Sequence, residues 1–202
     1  MPANDHPEPP SPGFPATRSL PTVIVLASGR GERFLASGGQ GSKLLARLAG
    51  RAVLEHTLSA VRASGLPWHL EDAGHAGMAD SIAAGVRATR GADGWLILPG
   101  DLPLVQPQTL RQVAQALANG APAAQPVHEG RPGHPVGFGP ASGDALAALS
   151  GAQGAAPVLL ALRASGAVVD VPVSDAGILT DIDTLADLAR AEALLLGSLS
   201  GG

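Results

Sequence analysis

"TVIVLASGRGERF", residues 22–34, decides the fold. Its first half, Thr22 to Leu26, is a continuous apolar run without polar alternation, the pattern of a parallel strand covered on both faces. Its second half sets two glycines and two arginines in one turn, so the strand ends where backbone can approach a ligand closely. "GWLILPGD", residues 94–101, repeats the design, with Trp95 to Leu98 as strand and Pro99-Gly100-Asp101 as its exit.

Helical spacing fills the rest. Val53, Leu54, Leu58 and Val61 recur on one face, and Ser64-Gly65 supplies a stop. Leu110, Val113, Ala114 and Leu117 follow the i, i+3, i+4, i+7 rule, with Pro107 near the helix start and Asn119-Gly120 beyond its end. "AVVDVPV" (167–173) reads as a strand, and "TLADLARAEALLL" (184–196) as a final helix that Asp183 or Thr184 would cap. Strands alternating with helices predict an α/β layer fold.

A chain of 202 residues suits one sizeable core. The Pro-rich residues 1–20 hold too few large apolar side chains to offset the entropy of ordering, so a disordered tail is expected there. The close "GSLSGG" (197–202) reads as a flexible tail, leaving one domain over residues 21–196.

With 13 Lys and Arg against 17 Asp and Glu, a net charge of -4 and scattered basic residues, nucleic acid is not an expected partner. The chain has no Cys, which excludes disulfides, thiolate zinc sites and cysteine nucleophiles. No stretch has the length of a signal peptide's apolar core or a membrane span, so a cytoplasmic protein that does not enter the membrane is expected.

Ligands of open α/β sheets settle beyond the carboxyl ends of the strands. Gly29 and Gly31 suit an anion there, and Arg30 and Arg33 can donate forked hydrogen bonds to phosphate oxygens. The spacing fits neither a dinucleotide fingerprint, which needs a third Gly or Ala near Phe34, nor a P-loop, which needs Gly where Ser42 precedes Lys43. A solvated strand-to-helix connection explains the same residues, and spacing alone makes Lys43, after "ASGGQGS", an ordinary surface lysine. Asp101 at a strand end suits a hard cation such as Mg²⁺, or simply a Pro-Gly-Asp turn. Asp181 and Asp183 in "TDID" (180–183) offer further carboxylates for a metal site or a helix cap. His134 in "GRPGHP" (130–135) is presented by a rigid turn, while His69, His75 and Asp72 match no metal-ligand spacing and are read as non-functional. Without a nucleophile elbow, covalent hydrolysis finds no support.

In order, "VIVLASGRGERF", "SKLLARLAG", "VLEHTL", "GMADSIAAGV", "LPGDLPLVQPQTL", "GRPGHPVGF" and "TDIDTLADL" resemble the molybdopterin nucleotidyltransferase (MobA/MocA-like) family, particularly its molybdenum cofactor cytidylyltransferase branch, over residues 22–190. The resemblance implies a three-layer Rossmann-like nucleotidyltransferase fold: a mostly parallel sheet with helices on both faces, here shortened in the middle. It implies that Leu26, Ala27, Ser28, Gly29, Arg30, Gly31, Arg33, Lys43 and Ser81 bind nucleotide. It further implies that Arg30, Lys43 and Asp101 are catalytic, that Asp101 and Asp183 hold Mg²⁺, and that His134 meets the acceptor. Three features depart from the pattern: Ser28 where Ala or Gly is usual, Phe34 where Met is usual, and only a short segment between Gly65 and Gly77.

The reaction so implied moves a nucleoside monophosphate from CTP, or from GTP, to a phosphorylated acceptor, molybdopterin or the molybdenum cofactor, with release of pyrophosphate. A molybdoenzyme or its chaperone would then be a partner. The alternatives are a sugar- or alcohol-phosphate acceptor, and a non-catalytic nucleotide or cofactor carrier whose shortened segment 66–76 has abolished turnover.

Overall fold

The structure, a computed structural model, describes residues 20–29 and 31–199. The expected Pro-rich tail at 1–20 lies, but for Leu20, outside the described residues, as do Arg30 and residues 200–202. In chain order the elements are β1 (Thr22–Leu26), α1 (Glu32–Ala36), β2 (Arg47–Leu48), β3 (Arg51–Ala52), α2 (Val53–Ser64), β4 (Trp68–Glu71), α3 (Met78–Ala88) and β5 (Trp95–Pro99). Then follow α4 (Pro107–Ala118), β6 (Ala123–His128), β7 (Arg131–Pro132), β8 (Val136–Phe138), α5 (Gly143–Ala147), α6 (Ala156–Ala164), β9 (Val168–Pro172) and α7 (Leu185–Leu199).

The large sheet runs β4-β1-β5-β8-β6, with β7 and β9 also on β6. β1 lies parallel between β4 and β5, and β9 is parallel to β6, whereas β7 and β8 run antiparallel to β6. The apolar run Val23 to Leu26 of β1 is explained by the layers on each side. Val23 and Val25 join Leu96, Leu98, Leu58, Val61, Leu110 and Val113 under α2 and α4. Ile24 and Leu26 join Trp95, Ile97, Ile82, Val86 and Leu146 under α3 and α5. Val23, Ile24 and Val25 have no exposed surface, and each buried side chain of this kind stabilises by about 1.5–3 kcal/mol. The fold is therefore the expected three-layer α/β arrangement.

The segment 66–76 holds one short strand and a loop, and β4 is consequently a sheet edge. α7 continues through Gly197 to Leu199, past the point where the flexible close was expected to begin. At its start Thr184 and Asp187 form a reciprocal cap, the Asp187 amide donating to Thr184 Oγ1 (3.2 Å) and the Thr184 amide to Asp187 Oδ2 (2.8 Å). Phe34, Leu48, Val53, Ile182 and Ala191 make a third core that ties α7 beside the loop after β1. Among the described residues, no helix is long and apolar enough to cross a membrane.

Candidate active site

The tips of β4, β1 and β5 stand side by side, Leu26 being in register with both Glu71 and Pro99. The Gly100 amide donates to the Leu26 carbonyl (2.9 Å), and Thr57 Oγ1 in α2 donates to the Gly100 carbonyl (3.0 Å). The turn into Asp101 is thus pinned to both neighbours. The Asp101 carbonyl in turn accepts from the Ile182 amide (3.0 Å), which delivers the "TDID" turn, and with it Asp183, to the same place.

Lys43 opens a short 3-10 helix, Lys43–Leu45, after the glycine-rich loop. Its Nζ lies 2.5 Å from Asp101 Oδ2 and 2.8 Å from Asp183 Oδ1, and its side chain is 12% exposed. The surface-lysine reading that spacing favoured is overturned: the fold buries the stem and two carboxylates hold the head. Burial works against the charge, but attraction and hydrogen bonding from Asp101 and then Asp183 outweigh it, and the pKa of Lys43 is raised. Arg33 Nη1 also reaches Asp183 Oδ2 (2.7 Å). Gly31 adopts φ +63, a conformation that favours glycine, and a Cβ there would stand 3.6 Å from Lys43 Cγ. The turn after β1 and the carboxylate after β5 therefore meet on one lysine.

Two cavities join at this point. One, of about 330 Å³, is lined by Leu26, Ser28, Gly29, Glu32, Leu44, His75–Met78, Ser81 and Ala152. The other, of about 410 Å³, is lined by Arg33, Leu102, Gln125, Arg131–His134, Ile178, Leu179, Asp181 and Asp183. Lys43, Met78, Pro99 and Asp101 line both. Gly31 and Arg33 edge a smaller depression with Lys43 and Asp183. Of the residues singled out in the sequence, Ala27 lines none of these hollows; its amide is taken by the Glu71 carbonyl (2.9 Å). Ser81 Oγ lies 3.0 Å from Ser28 Oγ, joining α3 to the turn after β1.

His134 reaches the second cavity through an irregularity in the sheet. The pairing of β6 with β7 and with β8 differs by two residues in register, so Gly133–Pro135 bulges from the ladder, with a cis peptide before Pro135. Gly133 is needed for the fit: a Cβ there would lie 2.5 Å from the Ile178 carbonyl oxygen. Nδ1 of His134 is buried without a hydrogen-bond partner. Burial lowers the His134 pKa, against the opposing pull of Asp101 and of the Ile97 backbone.

Among the described residues, no trio of His, Asp and Glu side chains is arranged to hold a metal. A two-carboxylate site fits better, because Asp101 and Asp183 already share one cation, the Lys43 ammonium, while Asp101 Oδ1 is buried and unpartnered. A hard cation with one or two carboxylates completes its shell with waters and substrate oxygens. Burial, followed by repulsion from Asp183 and Asp101, raises the Asp181 pKa, which fits a carboxyl crowded by this acidic pair.

Sequence reasoning missed Glu71. His69 and His75, which with Asp72 match no metal-ligand spacing, both bring Nε2 to Glu71, at 3.3 and 3.0 Å, and the Glu71 side chain is 8% exposed. Burial would raise its pKa, but the Ala73 amide and the two histidines hold it below the usual carboxylate range. The signal was present: His69 and Glu71 are two apart in a strand and share a face.

A family model described as MobA-like NTP transferase domain matches residues 59–166. The bifunctional protein GlmU of Azorhizobium caulinodans is 34% identical over 167 residues, covering 69% of this chain and 36% of that protein. The chain thus spans little more than a third of the curated relatives it matches. Rv0371c of Mycobacterium tuberculosis H37Rv, solved as a complex with manganese, superposes with a TM-score of 0.67 at 22% identity, over 88% of this chain and 100% of that one. Molybdopterin-guanine dinucleotide biosynthesis protein A of Archaeoglobus fulgidus does so with a TM-score of 0.59 at 20% identity, over 87% and 99%. At those identities the two structures bear on the fold, and it is the family model, covering more than half of the chain, that carries the assignment: this protein belongs to the MobA-like NTP transferases.

Proposed function

We propose that residues 21–196 form one nucleotidyltransferase domain that moves cytidine monophosphate from CTP to a phosphate of molybdopterin or the molybdenum cofactor, with Mg²⁺. The observation that carries this reading is Lys43, held between Asp101 and Asp183 where the two cavities join. A reaction between two phosphates needs two pockets and a shared point of positive charge.

The first cavity takes the nucleotide, its phosphates against Ser28–Gly31 and within reach of Lys43. The second takes the acceptor, whose phosphate faces Arg33 and Arg131. An acceptor phosphate oxygen attacks the α-phosphorus, the bond from that phosphorus to the bridging oxygen breaks, and pyrophosphate carries away the electron pair. Lys43, Arg33 and Arg30 neutralise the charge that grows on the leaving oxygens. His134, neutral by burial, lines the second cavity and orients the acceptor. Asp101 and Asp183 would hold Mg²⁺, which supplies Lewis-acid polarisation and alignment of phosphate oxygens. The transfer to a carrier such as a molybdoenzyme or its chaperone would follow release of the product.

The test is pyrophosphate release from CTP and from GTP, each with molybdopterin or its molybdenum-loaded form, and with a sugar phosphate as a control acceptor. Release only with CTP and the pterin acceptor is expected, and Asp101→Ala should abolish it while the protein still folds. Equal release from the sugar phosphate would move the proposal to a different acceptor, and undiminished release in Asp101→Ala would remove the metal site.

A further inference from the structure

We propose that His75, oriented by the buried carboxylate of Glu71, reads the nucleotide base and selects bases that carry an exocyclic amino group over those with a carbonyl in its place. This inference rests on nucleotide binding in the first cavity and adds to it the class of base.

Position comes first. Lys43 and Asp101 mark the β5 end of the cavity, while His75, Gly77 and Ser81 line the end beside β4 and α3. Strands in a sheet lie about 4.8 Å apart, so the tips of β5 and β4, with β1 between them, are about 10 Å apart. A nucleoside whose phosphates meet Lys43 lies across the tip of β1, and its base reaches His75. Over that end, the Gly151 carbonyl accepts from the Ala79 amide (3.0 Å), which brings Ala152 in as a wall.

Chemistry comes second. A carboxylate only accepts hydrogen bonds, so the Nε2 that His75 places 3.0 Å from Glu71 Oε1 carries the hydrogen. In the neutral ring Nδ1 is then a bare acceptor, and among the described residues it has no partner. Glu71 is fixed for this task by the Ala73 amide (3.3 Å) and by His69 on its other oxygen (3.3 Å). Its backbone carbonyl is anchored to the turn after β1 by Ser28 Oγ (3.3 Å). An acceptor fixed in this way pairs with an amino N–H and opposes a carbonyl oxygen. Cytosine and uracil differ in that one group. A site built to receive a hydrogen bond discriminates strongly against the analogue that lacks it.

Calorimetric titration of the full chain with CTP, UTP and inorganic triphosphate, each with magnesium, tests the assignment. The unaltered protein should bind CTP at least about tenfold more tightly than UTP. His75→Ala should lose that preference and keep its affinity for inorganic triphosphate, because the phosphate end is untouched. Glu71→Gln, which frees the imidazole to change tautomer, should narrow the preference with triphosphate affinity again unchanged. That split separates positioning of His75 from general damage. Equal affinity of the unaltered protein for CTP and UTP, a preference that survives in His75→Ala, or parallel loss of triphosphate affinity in both variants would each overturn the inference. If the unaltered protein binds neither CTP nor triphosphate, nucleotide transfer falls and takes this inference with it; bound triphosphate without base preference removes the inference alone.

Discussion

Nζ of Lys43 stands 2.5 Å from Oδ2 of Asp101, so the segment after α1 and the turn after β5 are joined by one ion pair. Asp183 shares the same ammonium at 2.8 Å. Three segments remote in the chain therefore meet on a single charge.

Replacing that charge should affect chemistry far more than folding. Lys43→Met keeps the buried stem and removes the ammonium, and pyrophosphate release should fall by about 10²–10³-fold, the usual effect of deleting one preorganised charge donor. Circular dichroism should show the native helix content. A loss of less than about threefold would place the reacting phosphates elsewhere.

Arg33 offers a contrast. Its side chain is 77% exposed, and exposed ion pairs contribute at most about 1 kcal/mol, so Arg33→Ala should leave the urea midpoint nearly unchanged despite losing Asp183. Its KM for the acceptor should rise nonetheless. A stability loss without a change in KM would make Arg33 a fold residue only.

Gly133→Ala forces a Cβ toward the Ile178 carbonyl, 2.5 Å away in the present packing. Backbone on both sides must shift, at a cost of about 1–3 kcal/mol. Urea titration reads the loss directly. Since His134 follows, the effect of acceptor concentration on rate should change as well, with CTP binding intact.

Glu71 makes stability depend on acid. Its pKa in the folded protein lies below the ordinary 4.5, so its stabilising contribution is present above that pH and is lost as pH falls through the lower folded value. Urea midpoints measured at neutral pH and at about pH 3 should therefore fall further in the unaltered protein than in Glu71→Gln, which has no carboxylate to titrate. Equal falls would show that the Ala73 and histidine bonds do not favour the ionised form.

Periodicity was enough for the framework. Four consecutive apolar residues, Val23 to Leu26, fit a strand covered on both sides, and the 3.6-residue rhythm of Leu110, Val113, Ala114 and Leu117 fits a helix with one buried face. These are local properties of the chain, set by side-chain direction and desolvation, and α4 and β1 formed where they predict. The place of Asp101 was legible for the same reason, since Pro-Gly-Asp marks the exit of a buried strand.

The partners of Lys43, Asp183 and Glu71 were not legible in this way. A lysine after a glycine-rich loop is ordinary until the Ile182 amide bonds to the Asp101 carbonyl and brings Asp183 beside it. Glu71 resembles any other acid until two imidazoles and an amide surround it. By itself, the sequence determined which segments bury their apolar faces and where the strands end. Tertiary structure alone decided which charges share a cavity, because ion pairing depends on separation in space, and chain spacing does not encode the distance between residues on different strands.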